Sequence, residues 1–154
     1  MAEIDRSKDL YICCAECIIE KDGKILVIRR PSGVHAGGLF AFPGGKIEYS
    51  DGAGGKNIFA EAAKREVLEE VGIKIEDPIR LITSSFFFDD LNGLPVIDCV
   101  FFCHADKTQT IVNANEREVP EYYWLSREEI FSHQNSPEWV KRYVSLTELK
   151  GSQK

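Results

Sequence analysis

The sequence predicts an α+β domain in which helices cover a mixed sheet. Three observations carry that expectation. Apolar runs rich in strand formers come in pairs joined by turn signals, at 11–28 and 81–102. Residues 57–71 have helical apolar spacing between an N-cap residue and a stopping glycine. Hairpins and helices then interleave without a regular βαβ alternation. The 154 residues fit one domain, 1–154, with flexible ends expected at about 1–9 and 150–154.

Residues 11–20 are apolar, Lys21-Asp22-Gly23-Lys24 is a turn signal and 25–28 is a second apolar run, which together read as a hairpin. Residues 31–38 read as loop and 39–42 as a short extended piece before Pro43. The run 52–57 is glycine-rich and is expected to be non-helical. Asn57 caps a helix to Val71 whose apolar side carries Ala60, Ala63, Val67 and Val71. Asn92-Gly93 marks the turn between strands 81–88 and 94–102. Residues 122–125 are a further strand, and Ser126 with Glu129 has the form of a capping box. Ser136-Pro137 is expected to open a last helix, with Ser136 as N-cap and an end near Leu149.

The formal net charge of −6 argues against binding long nucleic acid, which needs a basic face. No apolar run is long enough to span a membrane. Residues 1–8 are charged and lack a signal-peptide core, and the five cysteines are odd in number, so reduced thiols in the cytoplasm are expected. Cys14 and Cys17 would point to opposite faces of a strand, so small buried residues are a better reading than zinc ligands.

The chemistry concentrates in Arg65-Glu66-Val67-Leu68-Glu69-Glu70-Val71-Gly72-Ile73. On a helix Glu66, Glu69 and Glu70 share one face. Like charges at that spacing cost roughly 0.2–0.5 kcal/mol per pair. A hard divalent cation, Mg²⁺ with Mn²⁺ as the alternative, explains the grouping because it takes oxygen ligands and works with substrate phosphates. Gly44-Gly45 upstream lets backbone approach a ligand closely.

Loop, acidic helix and glycine stop resemble the Nudix box, G-x5-E-x7-R-E-U-x-E-E-x-G-U with U aliphatic. Arg65 to Ile73 match its second half at every fixed position. Upstream, Asp51 stands where the family has Glu, and residues 52–64 separate it from Arg65 where the family has a shorter spacer. The excess reads as a loop insertion at 52–57 and leaves the role of Asp51 open. Arg29-Arg30, His35 and Pro43-Gly44-Gly45-Lys46-Ile47-Glu48 further resemble the MutT-like branch of the family, nucleoside triphosphate pyrophosphohydrolases.

The resemblance implies a Nudix-type α/β/α sandwich with a mixed sheet and a loop–helix–loop catalytic box. It implies metal ligation by Glu66, Glu69 and Glu70, helped by the Gly44 carbonyl and Glu118. One of Glu66, Glu69 or Glu118 would be the general base, and Arg65 would orient the glutamates. Arg29 or Arg30 would meet the nucleotide, with Gly45 and Lys46 beside it, and Asn135 of Asn135-Ser136-Pro137 would hold the base. Glu121 lies close enough to compete with Glu118. His35 reads as structural, and Phe86, Phe87, Phe88, Tyr122, Tyr123 and Trp139 are candidates for stacking. The implied activity is Mg²⁺-dependent hydrolysis of a nucleoside triphosphate or another nucleoside-diphosphate-linked compound to a nucleoside monophosphate and pyrophosphate or a phosphorylated remainder. The alternatives are a non-catalytic nucleotide-binding regulator and a hydrolase of nucleotide sugars, coenzymes or capped RNA. A monomer or homodimer is expected.

Overall fold

A computed structural model describes residues 3–5, 8, 10–76, 78–109 and 115–149, and the expected flexible ends fall largely outside these. The chain order is β1 (Ile12–Lys21), β2 (Lys24–Arg29), β3 (Phe40–Ala41), β4 (Gly44–Lys46), a 3-10 segment (Tyr49–Gly55), α1 (Ile58–Val71), β5 (Arg80–Phe88), β6 (Pro95–His104), β7 (Glu121–Leu125), α2 (Arg127–Ser132) and α3 (Glu138–Thr147). The strands form one mixed sheet in the order β3-β2-β1-β6-β5, with β4 also on β1 and β7 also on β2.

The β1–β2 turn follows from its residues. Asp22 and Gly23 both take positive φ, 52° and 75°, and Lys21 pairs with Lys24. Two left-handed residues give the backbone twist that a two-residue hairpin needs. β2 leaves β1 after this turn and pairs with β3 and β7 instead. β1 runs parallel to β6 from Ile12↔Val96 to Glu20↔His104, and β5 is antiparallel to β6.

Strand alternation sorts the core into two layers. Ala15, Cys17, Ile19, Phe101 and Cys103 pack on Ala62, Ala63, Val67 and Val71 of α1. On the other face Ile18, Val27, Val100 and Phe102 pack with Ile130 of α2 and Val140, Tyr143 and Val144 of α3. Helices on both faces of the sheet make the expected α/β/α sandwich. Among the described residues, no helix is long and apolar enough to cross a membrane.

Three local expectations change. Gly44–Lys46 is a short strand, because Gly44, Gly45 and Lys46 pair with Glu16, Ala15 and Cys14 of β1. Residues 52–55 are not open loop but part of the 3-10 segment, kinked at Ala53 and Gly54. Short 3-10 turns tolerate glycine where an α-helix does not. The last helix starts at Glu138 with Pro137 as its N-cap and ends at Thr147. Ser136 makes no cap, and its buried hydroxyl has no hydrogen-bond partner among the described residues.

Candidate active site

α1 is held at both ends as its sequence requires. The Asn57 side chain accepts the N–H groups of Phe59 and Ala60, and Gly72 closes the helix with a left-handed φ of 69°. Between the caps, Arg65 draws the acidic face together. Its guanidinium donates to Glu66 at 2.8 Å, Glu69 at 3.0 Å and the Lys46 carbonyl at 2.9 Å. It also donates bidentately to both oxygens of Asp51, at 2.9 and 3.0 Å. Arg65 is thus hydrogen-bonded to two of the three glutamates, and Asp51 holds Arg65 in turn.

Asp51 is 6 % exposed and also accepts the Glu48 N–H, closing a capping box at the start of the 3-10 segment. The Arg65 guanidinium holds its carboxyl below the usual range, and the Glu48 N–H acts in the same direction. The start of the 3-10 segment thus fixes the residue that positions the box arginine.

β4 brings backbone against the glutamates. Gly44 N–H donates to Glu70 at 3.0 Å. A Cβ on Gly45 would lie 2.5 Å from Glu66 Oε1 and push that carboxylate aside, and a Cβ on Gly44 would lie 2.5 Å from the Ala15 carbonyl oxygen, where only glycine fits. Burial pushes Glu70 up to about 8, reinforced by the charges of Glu66 and Glu118 and opposed by the Gly44 hydrogen bond. Burial also raises Glu66, while Arg65 lowers it. Glu118 acts on this cluster because its loop docks on α1: Asn115 N–H donates to the Glu70 carbonyl at 2.9 Å, and Val119 is in the core. The donor set is all oxygen, three carboxylates on one helix face beside a backbone turn with no room for a side chain. That set fits a hard divalent cation.

The double arginine divides its work. Arg29 faces β7, where it pairs with Glu121 at 3.3 Å and donates to the Gly38 carbonyl. Tyr123 also donates to Glu121, which is thereby tied to the β2–β7 side. Arg30 lines a cleft on the α3 face of the sheet and donates to the His35 carbonyl at 2.7 Å. The cleft encloses 330 Å³, within the range of ligand pockets. Its walls include Phe87, Trp139 and Tyr143, and its floor holds Glu16 and Asp98. A shallower continuation shares Glu16, Arg30, His35 and Asp98 and runs to Gly44, Gly45 and Lys46. His35 has partners the sequence did not disclose: its ring stacks on Phe87 at 5.0 Å and Nδ1 meets Asp90 at 2.6 Å. Potential ligand atoms of His35, Asp89 and Asp90 lie within 4.8 Å of one another. Asn135 lies four residues before Trp139. Its carbonyl accepts the Phe40 N–H, and it is not among the residues lining the cleft.

A family model described as the NUDIX domain matches residues 13–147. The chain belongs to the Nudix family. Its place as a MutT-like Nudix hydrolase rests on relatives as well. It is 34% identical over 91 residues to an 8-oxo-dGTP diphosphatase of Proteus vulgaris, covering 52% of this chain and 75% of that one. It is 42% identical over 57 residues to a CTP pyrophosphohydrolase of Escherichia coli, covering 37% of this chain and 38% of that one. A MutT NUDIX hydrolase of Burkholderia pseudomallei shares the fold, with a TM-score of 0.71 at 21% identity over 91% of this chain and 98% of that one. By class this Nudix hydrolase is a pyrophosphohydrolase.

Sequence reasoning missed Glu16 and Asp98. The available signal was a carboxylate in the middle of each of two apolar strands, at inward-facing positions where charge is costly.

Proposed function

We propose that this Nudix hydrolase cleaves a nucleoside triphosphate, or a related nucleoside-diphosphate derivative, to a nucleoside monophosphate and pyrophosphate, with Mg²⁺ as cofactor and Mn²⁺ as an alternative. The observation that carries the reading is that Gly44 and Gly45 lie against Glu70 and Glu66 of α1 and also line, with Lys46, a groove that shares Glu16, Arg30, His35 and Asp98 with the cleft. The printed activities of the two relatives, on 8-oxo-dGTP and CTP, support the same class.

Glu66, Glu69 and Glu70 would hold the divalent cation, with the Gly44 carbonyl and Glu118 completing the oxygen set. The bound cation neutralises phosphate charge and makes water easier to deprotonate. Arg65 keeps Glu66 and Glu69 converged when the phosphates arrive. Glu66, Glu69 or Glu118 accepts the proton of the attacking water, which adds to a bridging phosphorus as the pyrophosphate oxygen leaves. Lys46 and Arg30 line the path between the box and the cleft and offer positive charge to the phosphates. Asn135, outside the cleft lining but four residues before Trp139, would reach the base from beside the cleft. Arg29, spent on Glu121 and Gly38, acts on the site only by fixing the strand end that carries Arg30.

The test is a Mg²⁺-dependent hydrolysis screen over nucleoside triphosphates, oxidised nucleotides, nucleotide sugars and dinucleoside polyphosphates. Turnover of triphosphates to monophosphate and pyrophosphate is expected. Nucleotide binding without turnover on any compound would favour the regulator reading instead.

A further inference from the structure

Cys14, Glu16 and Ile18 of β1, with Asp98, Val100 and Phe102 of β6, form the α3 side of the sheet. Most of that layer is apolar core. Glu16 and Asp98 interrupt it, and their carboxyl groups act on each other. Asp98 is 7 % exposed. Among the described residues its buried Oδ1 has no hydrogen-bond partner. Burial raises both groups, Asp98 to about 6.

Two carboxyl groups at apolar positions destabilise a core unless something uses them. Among the described residues none donates a hydrogen bond to Asp98 Oδ1, and the charge of Arg30, which lines the same cleft, acts on both carboxyl groups. Ser85, the β5 neighbour of Asp98 in register, is occupied by Tyr143, whose hydroxyl donates to it at 2.6 Å. Asp98 therefore has acceptor capacity left over in a cleft that Phe87 and Trp139 also line. A flat ring bound in that cleft could turn a polar edge to this carboxylate.

We propose that Asp98, backed by Glu16, reads the base through an N–H of its exocyclic amino group, so that the cleft selects amino-bearing bases against their oxo or unsubstituted counterparts. A carboxylate accepts from an amino group and repels a carbonyl oxygen, which makes cytosine against uracil, and guanine against hypoxanthine, the discriminating pairs. Asp98 is here a specificity residue, and the inference rests on the nucleotide-hydrolase reading of the site.

The experiment has two arms. The first measures kcat/KM with Mg²⁺ for CTP against UTP and for GTP against ITP, in wild type and Asp98→Asn. The second measures Kd for CMP against UMP and for GMP against IMP by calorimetry, without turnover. Wild type should favour the amino partner by roughly tenfold or more in the pair that binds more tightly. Asp98→Asn should bring that ratio towards one, because an amide can present either its oxygen or its NH₂. Wild-type ratios near one in both pairs would overturn the proposal, and this needs no variant to fold. So would an unchanged ratio in a folded Asp98→Asn protein. Turnover without amino preference removes Asp98 and leaves the hydrolase. Amino preference in binding without turnover removes the hydrolase and leaves Asp98. Failure of all four monophosphates to bind, together with no turnover of any of the four triphosphates, removes both.

Discussion

The carboxylate of Asp51 grips the guanidinium of Arg65 with two hydrogen bonds, at 2.9 and 3.0 Å, from the far side of the glycine-rich insertion. Arg65 in turn holds Glu66 and Glu69, so a residue outside the acidic helix face sets the geometry of that face.

Asp51→Asn should therefore loosen the site as well as the fold. A bidentate pair with one partner almost fully buried is expected to cost about 2–3 kcal/mol when its charge is removed. The sign with pH follows from the depressed carboxyl. Its contribution is present above the ordinary value of 3.8 and is lost as pH falls through the lower folded value. Urea melts at pH 7 and near pH 3 should show a difference between wild type and Asp51→Asn that shrinks in acid. A difference of equal size at both values would mean that the charge of Asp51 does not matter.

Glu69→Gln and Glu70→Gln should each lower turnover by orders of magnitude while the fold survives, because each removes a charged oxygen ligand. Chelation with EDTA should abolish activity in the wild type, and Mg²⁺ should restore it. Near-normal Mg²⁺-dependent rates in both variants would remove the helix face from the metal site.

Asn57→Ala should destabilise the protein by about 1 kcal/mol, the usual worth of an N-cap, since the side chain accepts from both Phe59 and Ala60. Thermal melting checks this. The same contact implies that a shortened insertion must retain Asn57, so deletion of 52–56 should fold better than deletion of 52–57.

Asn135→Ala should raise KM more than it lowers kcat, while leaving the amino preference to Asp98. Steady-state kinetics on CTP and UTP separate these effects. An unaltered KM would take Asn135 out of the substrate contacts.

Much of the box was legible from sequence because it is local. Glu66, Glu69 and Glu70 converge through helical spacing alone, and Asn57 and Gly72 cap the helix by their own side chain and φ. The β1–β2 turn was legible for the same reason, since Asp22-Gly23 needs no distant partner. The departures came where distant segments meet. Gly44–Lys46 becomes a strand only because β1 offers an edge, and Asp51 acquires a role only because Arg65, fourteen residues away, reaches back to it.

The sequence by itself determined the family, the acidic helix face and the apolar periodicity that buries α1. Tertiary structure decided which of two adjacent arginines lines the cleft: Arg29, the last residue of β2, is taken up by Glu121 across the β2–β7 pair, and Arg30, just past the strand, lines the cleft. It also decided that Glu16 and Asp98, 82 positions apart, become one polar floor. Parallel pairing of β1 with β6 is a long-range contact, and no local pattern in either strand specifies its register.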